Sequence, residues 1–217
     1  MHRIIVTLVL LVGLFFSLMV LGSGMGTWRL PDNQQGYAPK QPISYSHRLH
    51  AGELQIDCKF CHSAAEQSRH AGIPSTDVCM KCHKFVTSSF DVQQEEIALA
   101  DKEKRKPQQI VSEELRKLYE TIDLENPQQP NPDAQPESIP WVRVHNLPDY
   151  VYFDHRAHVA AGVSCQKCHG PVESMERVRQ FESLSMGWCV NCHREATENG
   201  IEGRAVHAST DCAVCHY

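Results

Sequence analysis

Every one of the ten cysteines in this 217-residue chain lies in a Cys-x-x-Cys-His unit. The five units are Cys58/Cys61/His62, Cys79/Cys82/His83, Cys165/Cys168/His169, Cys189/Cys192/His193 and Cys212/Cys215/His216. Two thiols separated by two residues can add to the two vinyl groups of one porphyrin, and the next histidine then falls under the iron as its proximal imidazole. Structural zinc wants four ligands per ion in paired knuckles, and five identical half-sites fit that arithmetic poorly. A disulfide framework is the remaining alternative for so many cysteines. The units therefore predict five covalently bound haem c groups.

An iron held by one imidazole has a second axial position to fill. The chain has thirteen histidines, of which the units use five, leaving His2, His47, His50, His70, His145, His155, His158 and His207. His2 stands at the head of an apolar segment, so seven candidates remain for five positions. His47-x-x-His50 precedes Cys58 by a short distance, and His155-x-x-His158 precedes Cys165 by nearly the same distance. Two imidazoles three apart on a helix can serve neighbouring irons. His145 is the next candidate, with a backbone-bonded or exposed histidine as the alternative; for His70 and His207 a surface position is the simpler reading. Met175 and Met186 are the candidate thioether ligands, and for each taken singly ordinary packing is the competing role. An iron with both axial positions filled carries electrons and does not readily bind a substrate.

The elements that must position these residues begin with an apolar run from Ile4 to Leu21, interrupted only by Thr7, Gly13 and Ser17. It approaches the roughly 20 residues of a spanning helix. Arg3 before it predicts a cytoplasmic N-terminus, with the remainder on the periplasmic side and Trp28 at the far interface. A cleaved signal peptide ending near Gly22 is the alternative; the length of the run and the lack of Ala-x-Ala favour a retained anchor. A net charge of −5 without a basic stripe excludes nucleic acid. With 7% aromatic residues, porphyrins are expected to form the core, buried by short helices and loops, with few strands. The fold class predicted is mainly α and irregular, with haem packing like that of class III cytochromes c, behind one transmembrane helix.

The repeated ligand pattern divides the chain into an anchor at 1–28, a two-haem module at 40–90, a connector at 91–138 and a three-haem module at 139–217. In the connector, Val111, Leu115, Leu118 and Ile122 recur at helical spacing, predicting a helix packed on its own domain. Asp101 to Lys106 reads as a solvated face, and Asn126 to Ser138, with four prolines, as an extended surface linker.

The phrases YSHRLHAGELQIDCKFCH, HAGIPSTDVCMKCH, WVRVHNLPDYVYFDHRAHV, CHGPVESM, MGWCVNCHRE and DCAVCHY together resemble the pentahaem cytochrome c subunit of bacterial alternative complex III. The resemblance runs in patches from about Ser46 to Tyr217. It implies a quinol-oxidising complex of the bacterial cytoplasmic membrane, with partners of four kinds: quinol-binding polytopic membrane subunits, a large subunit resembling molybdopterin and iron-sulfur oxidoreductases, a monohaem cytochrome c, and a haem-copper oxidase as one possible acceptor. By those phrases His47, His50, His145, His155 and His158 would be distal ligands, with Met175 a candidate at one haem. Quinone reductase complexes that exchange electrons with periplasmic cytochrome c3 use a similar subunit, in which electrons run into menaquinone. Two enzyme readings compete. A multihaem reductase would need an open haem, often marked by Cys-x-x-Cys-Lys, which does not occur here. A self-sufficient quinol dehydrogenase would need a proton acceptor just after the anchor, where only Asp32 is offered.

Overall fold

A computed structural model describes residues 2–25, 34–129 and 131–217; Trp28 and Asp32 lie outside them. The described residues form nine α-helices and no β-strand, only the isolated bridges Val151 to His216 and Ile201 to Arg204. The mainly helical and irregular class expected from the sequence is what is found.

Helix α1, His2–Met25, follows from the uninterrupted apolar run, and its His2–Gly22 segment is long and apolar enough to cross a membrane. At about 1.5 Å per residue these 21 residues reach about 32 Å, the thickness of a hydrocarbon core. None of that segment is buried against the rest of the protein.

The remaining helices are short: α2 (Cys58–Cys61), α3 (Thr76–His83), α4 (Phe90–Lys102), α5 (Glu113–Thr121), α6 (His155–Ala160), α7 (Cys165–His169), α8 (Met186–Asn199) and α9 (Cys212–Cys215). Most start at a Ser or Asp that the sequence places just before the first turn. Asp57, Ser112, Asp154, Ser185 and Asp211 each accept a hydrogen bond from a backbone N–H two or three residues on. Buried apolar side chains are few: Ala65, Ala100, Leu118, Tyr119 and Met175. That is a thin aliphatic core for a chain of this length.

Between the two modules the connector forms two helices where the sequence reading gave one. In α5, Leu118 and Tyr119 are buried, and the Tyr119 hydroxyl donates to the His83 carbonyl at 2.6 Å. This packs the helix onto the end of α3. In α4, the largely buried Glu96 accepts hydrogen bonds from Arg105 at 2.5 Å and from Gln108 N at 2.7 Å. Arg105 is therefore not part of a solvated run, because its guanidinium turns back to neutralise a carboxylate that α4 buries. Nor is 126–138 an extended linker. Asn131 Nδ2 donates to the Asp123 carbonyl, Gln135 N to the Asp123 carboxylate and Glu137 N to the Thr121 carbonyl. Asp123, in the left-handed region at φ 51°, reverses the chain after α5 and gives the loop its acceptors.

The modules also interlock rather than follow one another as beads. Arg48 N donates to the Met175 carbonyl at 3.0 Å, and Ser46 Oγ and Arg48 Nε both reach Glu176. Gly36 N bonds to the Gln180 carbonyl and Gln180 N to the Tyr37 carbonyl. A Cβ on Gly52 would run into the Glu173 carbonyl oxygen, so only glycine permits this approach.

Candidate functional site

Each Cys-x-x-Cys-His unit contains a helical turn. In α2, α7 and α9 that turn is almost the whole element; in α3 and α8 it is part of a longer helix. One turn places residues three apart on one face, so both thiols of a unit point the same way and the histidine follows beside them. None of the ten cysteines is in a disulfide. Burial raises the thiol of Cys168 to about 11, and pushes the thiols of Cys61, Cys79 and Cys189 up as well.

The histidines show a common device. Nδ1 lies at hydrogen-bond distance from a backbone carbonyl oxygen in six of them: His50 to Ser46 at 2.8 Å, His62 to Gly72 at 2.7 Å, His83 to Val86 at 2.8 Å, His155 to Arg69 at 2.9 Å, His158 to Asp154 at 2.8 Å and His193 to Ser209 at 2.5 Å. A carbonyl only accepts, so Nδ1 carries the proton and Nε2 presents a bare lone pair. A fixed tautomer and ring orientation of this kind are what a metal-ligating imidazole needs. Burial lowers His47 to about 4, His145 to about 4 and His169 to about 3, which keeps them in the neutral, ligating form at neutral pH.

Three histidine pairs face each other at nearly one spacing. The ring centroids are 6.0 Å apart for His50 and His83, 6.3 Å for His155 and His169, and 5.9 Å for His158 and His193. Two metal–nitrogen bonds of about 2 Å, with the imidazole radii added, put axial ligands of one iron at about 6 Å between ring centres. The donor set fits haem iron held by two imidazoles.

The two His-x-x-His segments are the same structure twice. Tyr45 meets His47 edge-on at 4.8 Å and stacks on His50 at 4.4 Å; Phe153 meets His155 edge-on at 4.9 Å and stacks on His158 at 4.5 Å. In both, the second histidine bonds to the carbonyl four residues back, at the buried Ser46 and the buried Asp154. The aromatic residue two before each first histidine is part of the cradle. Its recurrence in YSHRLH and FDHRAH is the signal that a reading confined to histidines and cysteines passes over.

The other candidates lie differently. His145 places Nε2 3.2 Å from Nδ1 of His169, with ring centroids 4.3 Å apart and planes at 77°. It touches His169 on the edge away from Nε2 rather than facing a proximal histidine across an iron-sized gap. Met175 is buried where the modules meet, its carbonyl bonded to Arg48 N. His70 and His207 are exposed. His216 stacks against Tyr150 at 5.8 Å, and among the described residues no imidazole faces it. Met186 opens α8 one turn before Cys189 and is 65% exposed.

Residues 151–217 match the family of cytochrome c7 and related cytochromes c. The chain as a whole is similar to the multihaem cytochrome c subunit of a menaquinone reductase from Nitratidesulfovibrio vulgaris Hildenborough. The two are 26% identical over 223 residues, covering 93% of this chain and 88% of the relative. The third to fifth units thus lie in a multihaem cytochrome c fold, and haem-based electron transport is the chemistry that the fold carries.

Proposed function

We propose that this chain is a membrane-anchored cytochrome with five haem c groups, which carries electrons inside a quinone-linked complex and has no catalytic site of its own. The observation that carries the reading is the facing of imidazoles at 5.9–6.3 Å with Nδ1 tied to backbone carbonyls. Haem c supplies an iron that takes up and releases one electron. The chain's own residues do the rest. The ten cysteines anchor the group, and His62, His83, His169, His193 and His216 take the proximal positions.

On the distal side, His50 is opposed to His83, His155 to His169 and His158 to His193. The repeat then gives His47 to His62, because His47 holds the place in the first cradle that His155 holds in the second. With imidazole on both sides, four irons are closed to small substrates. This separates an electron carrier from a multihaem reductase.

The resemblance to the alternative complex III subunit and the similarity to a menaquinone reductase subunit both support a quinone-linked assembly. They differ in direction. The reading adopted is quinol oxidation, with electrons leaving the periplasmic face toward a cytochrome c or a haem-copper oxidase, alongside the polytopic quinol-binding and iron-sulfur/molybdopterin-like partners that the resemblance implies. The menaquinone-reducing direction is the second reading, favoured by the relative's activity. The test uses the complex isolated from membranes through this chain. Menaquinol added anaerobically reduces the haems on the first reading. On the second, menaquinol leaves them oxidised, while a reduced low-potential cytochrome drives quinone reduction. Turnover of quinol or nitrite by the isolated subunit would refute both.

A further inference from the structure

The five units do not follow one another in space as they do in sequence. We infer that they are arranged in the order second, first, third, fourth, fifth, with the two modules joined through the first and third units. This rests on the haem reading above.

Each step of the order has its own contact. The second and first units meet where Lys81 Nζ, inside CMKCH, lies 5.3 Å over the Phe60 ring, inside CKFCH. They also share a cradle, since His47 and His50 are one turn apart and His50 faces His83. The first unit meets the third through the segment that follows His62. The turn Ser63–Glu66 packs on α6. The Arg69 carbonyl accepts from His155 N at 3.1 Å and lies 2.9 Å from His155 Nδ1. Arg69 also donates from Nε to the Phe153 carbonyl at 3.2 Å and lays its guanidinium 4.5 Å over the Tyr152 ring. A residue of the first module thereby orients the imidazole that faces His169, which makes Arg69 a positioning residue for the third unit.

The third and fourth units share the second cradle, through His155 and His158, and the ion pair of Lys167 with Glu195 at 3.8 Å. The fourth meets the fifth where His193 Nδ1 bonds to the Ser209 carbonyl, two residues before the α9 cap. Electrostatic neighbours among the thiols follow the same sequence of steps: Cys61 with Cys79 and Cys82, Cys58 with Cys165, Cys168 with Cys189 and Cys192, and Cys189 with Cys215.

A single file has two ends and three interior members. The ends are the second and fifth units, so an electron crossing the whole chain enters at one and leaves at the other. Each step takes one electron out of one unit and into the next, with no bond made or broken. The covalent order would instead put the first unit at an end and the second in the interior.

The experiment is nuclear Overhauser spectroscopy of the full chain in detergent, fully reduced so that low-spin haems are diamagnetic. Each haem is assigned through its thioether-bridge protons to its own cysteines. The expected inter-haem contacts are second–first, first–third, third–fourth and fourth–fifth. A second–third contact without a first–third contact overturns the order. A spectrum without covalent haem resonances overturns the haem reading itself. A second measurement isolates the junction. Arg69→Ala is expected to shift the third-unit resonances and the third-unit potential while those of the second and fifth units stay in place, and Arg69→Lys is expected to restore them in part. Unchanged third-unit resonances in Arg69→Ala would overturn the positioning role.

Discussion

Replacing His155 and His158 by alanine, singly and together, probes the second cradle one iron at a time. The two residues are three apart at the start of α6, about 4.5 Å along the helix axis, and their rings face different partners. His155 and His169 are nearly parallel, at 12° and 6.3 Å, whereas His158 and His193 are tilted, at 45° and 5.9 Å. Each substitution is therefore expected to open one iron and leave the other closed. Carbon monoxide should bind reduced protein at about one molecule per chain in each single variant and about two in the double variant, against none at these irons in the parent. Electron paramagnetic resonance should separate the two cases. Parallel imidazole planes give a rhombic low-spin signal, which His155→Ala should remove and His158→Ala should retain. Free imidazole should restore the low-spin state in each. If one substitution opened both irons, or neither, the assignment of the two histidines to separate irons would be wrong.

Tyr119→Phe removes the hydroxyl that donates to the His83 carbonyl at 2.6 Å; a cost of about 1–2 kcal/mol is expected, seen as a melting temperature lower by roughly 2–8 °C. Glu96→Gln addresses the α4 pair. Hydrogen bonds from Arg105 and Gln108 hold this carboxyl at about 2, below its ordinary 4.5, so folded protein binds fewer protons here than unfolded protein does. The pair therefore stabilises fully above about pH 4.5 and fades as pH falls toward 2. The variant should melt lower than the parent at pH 7 and the gap should close near pH 2; a gap independent of pH would count against the pairing. Because no imidazole faces His216, the fifth iron is expected to take a ligand of another kind, and Met186, one turn before Cys189, is the residue to test. The near-infrared charge-transfer band of a methionine-ligated haem should be present in the parent and absent in Met186→Ala. Five bis-imidazole signals would refute this.

Much of the site is legible from spacing alone, because covalent attachment needs two thiols and an imidazole at one fixed separation, and a local helical turn supplies it. The twin cradles are legible for the same reason: YSHRLH and FDHRAH are local sequence and fold into local structure. What spacing does not carry is anything decided by distant contacts. His145 has the chemistry of a distal ligand, yet tertiary packing sets it against the Nδ1 edge of His169. The linker of prolines is held down by Asp123 and Thr121, because a chain reversal at a single left-handed residue brings acceptors within reach of its free N–H groups. The interlock of the modules depends on Gly52, Arg69 and Arg48, none of which belongs to a motif.

The account rests on five haems bound covalently to one chain that keeps its anchor. The intact mass of the chain extracted from membranes and denatured measures both at once. It is expected to equal the mass of the full polypeptide plus five haems. A mass short of that by one or more haems, or one that fits zinc or disulfides in their place, would contradict it.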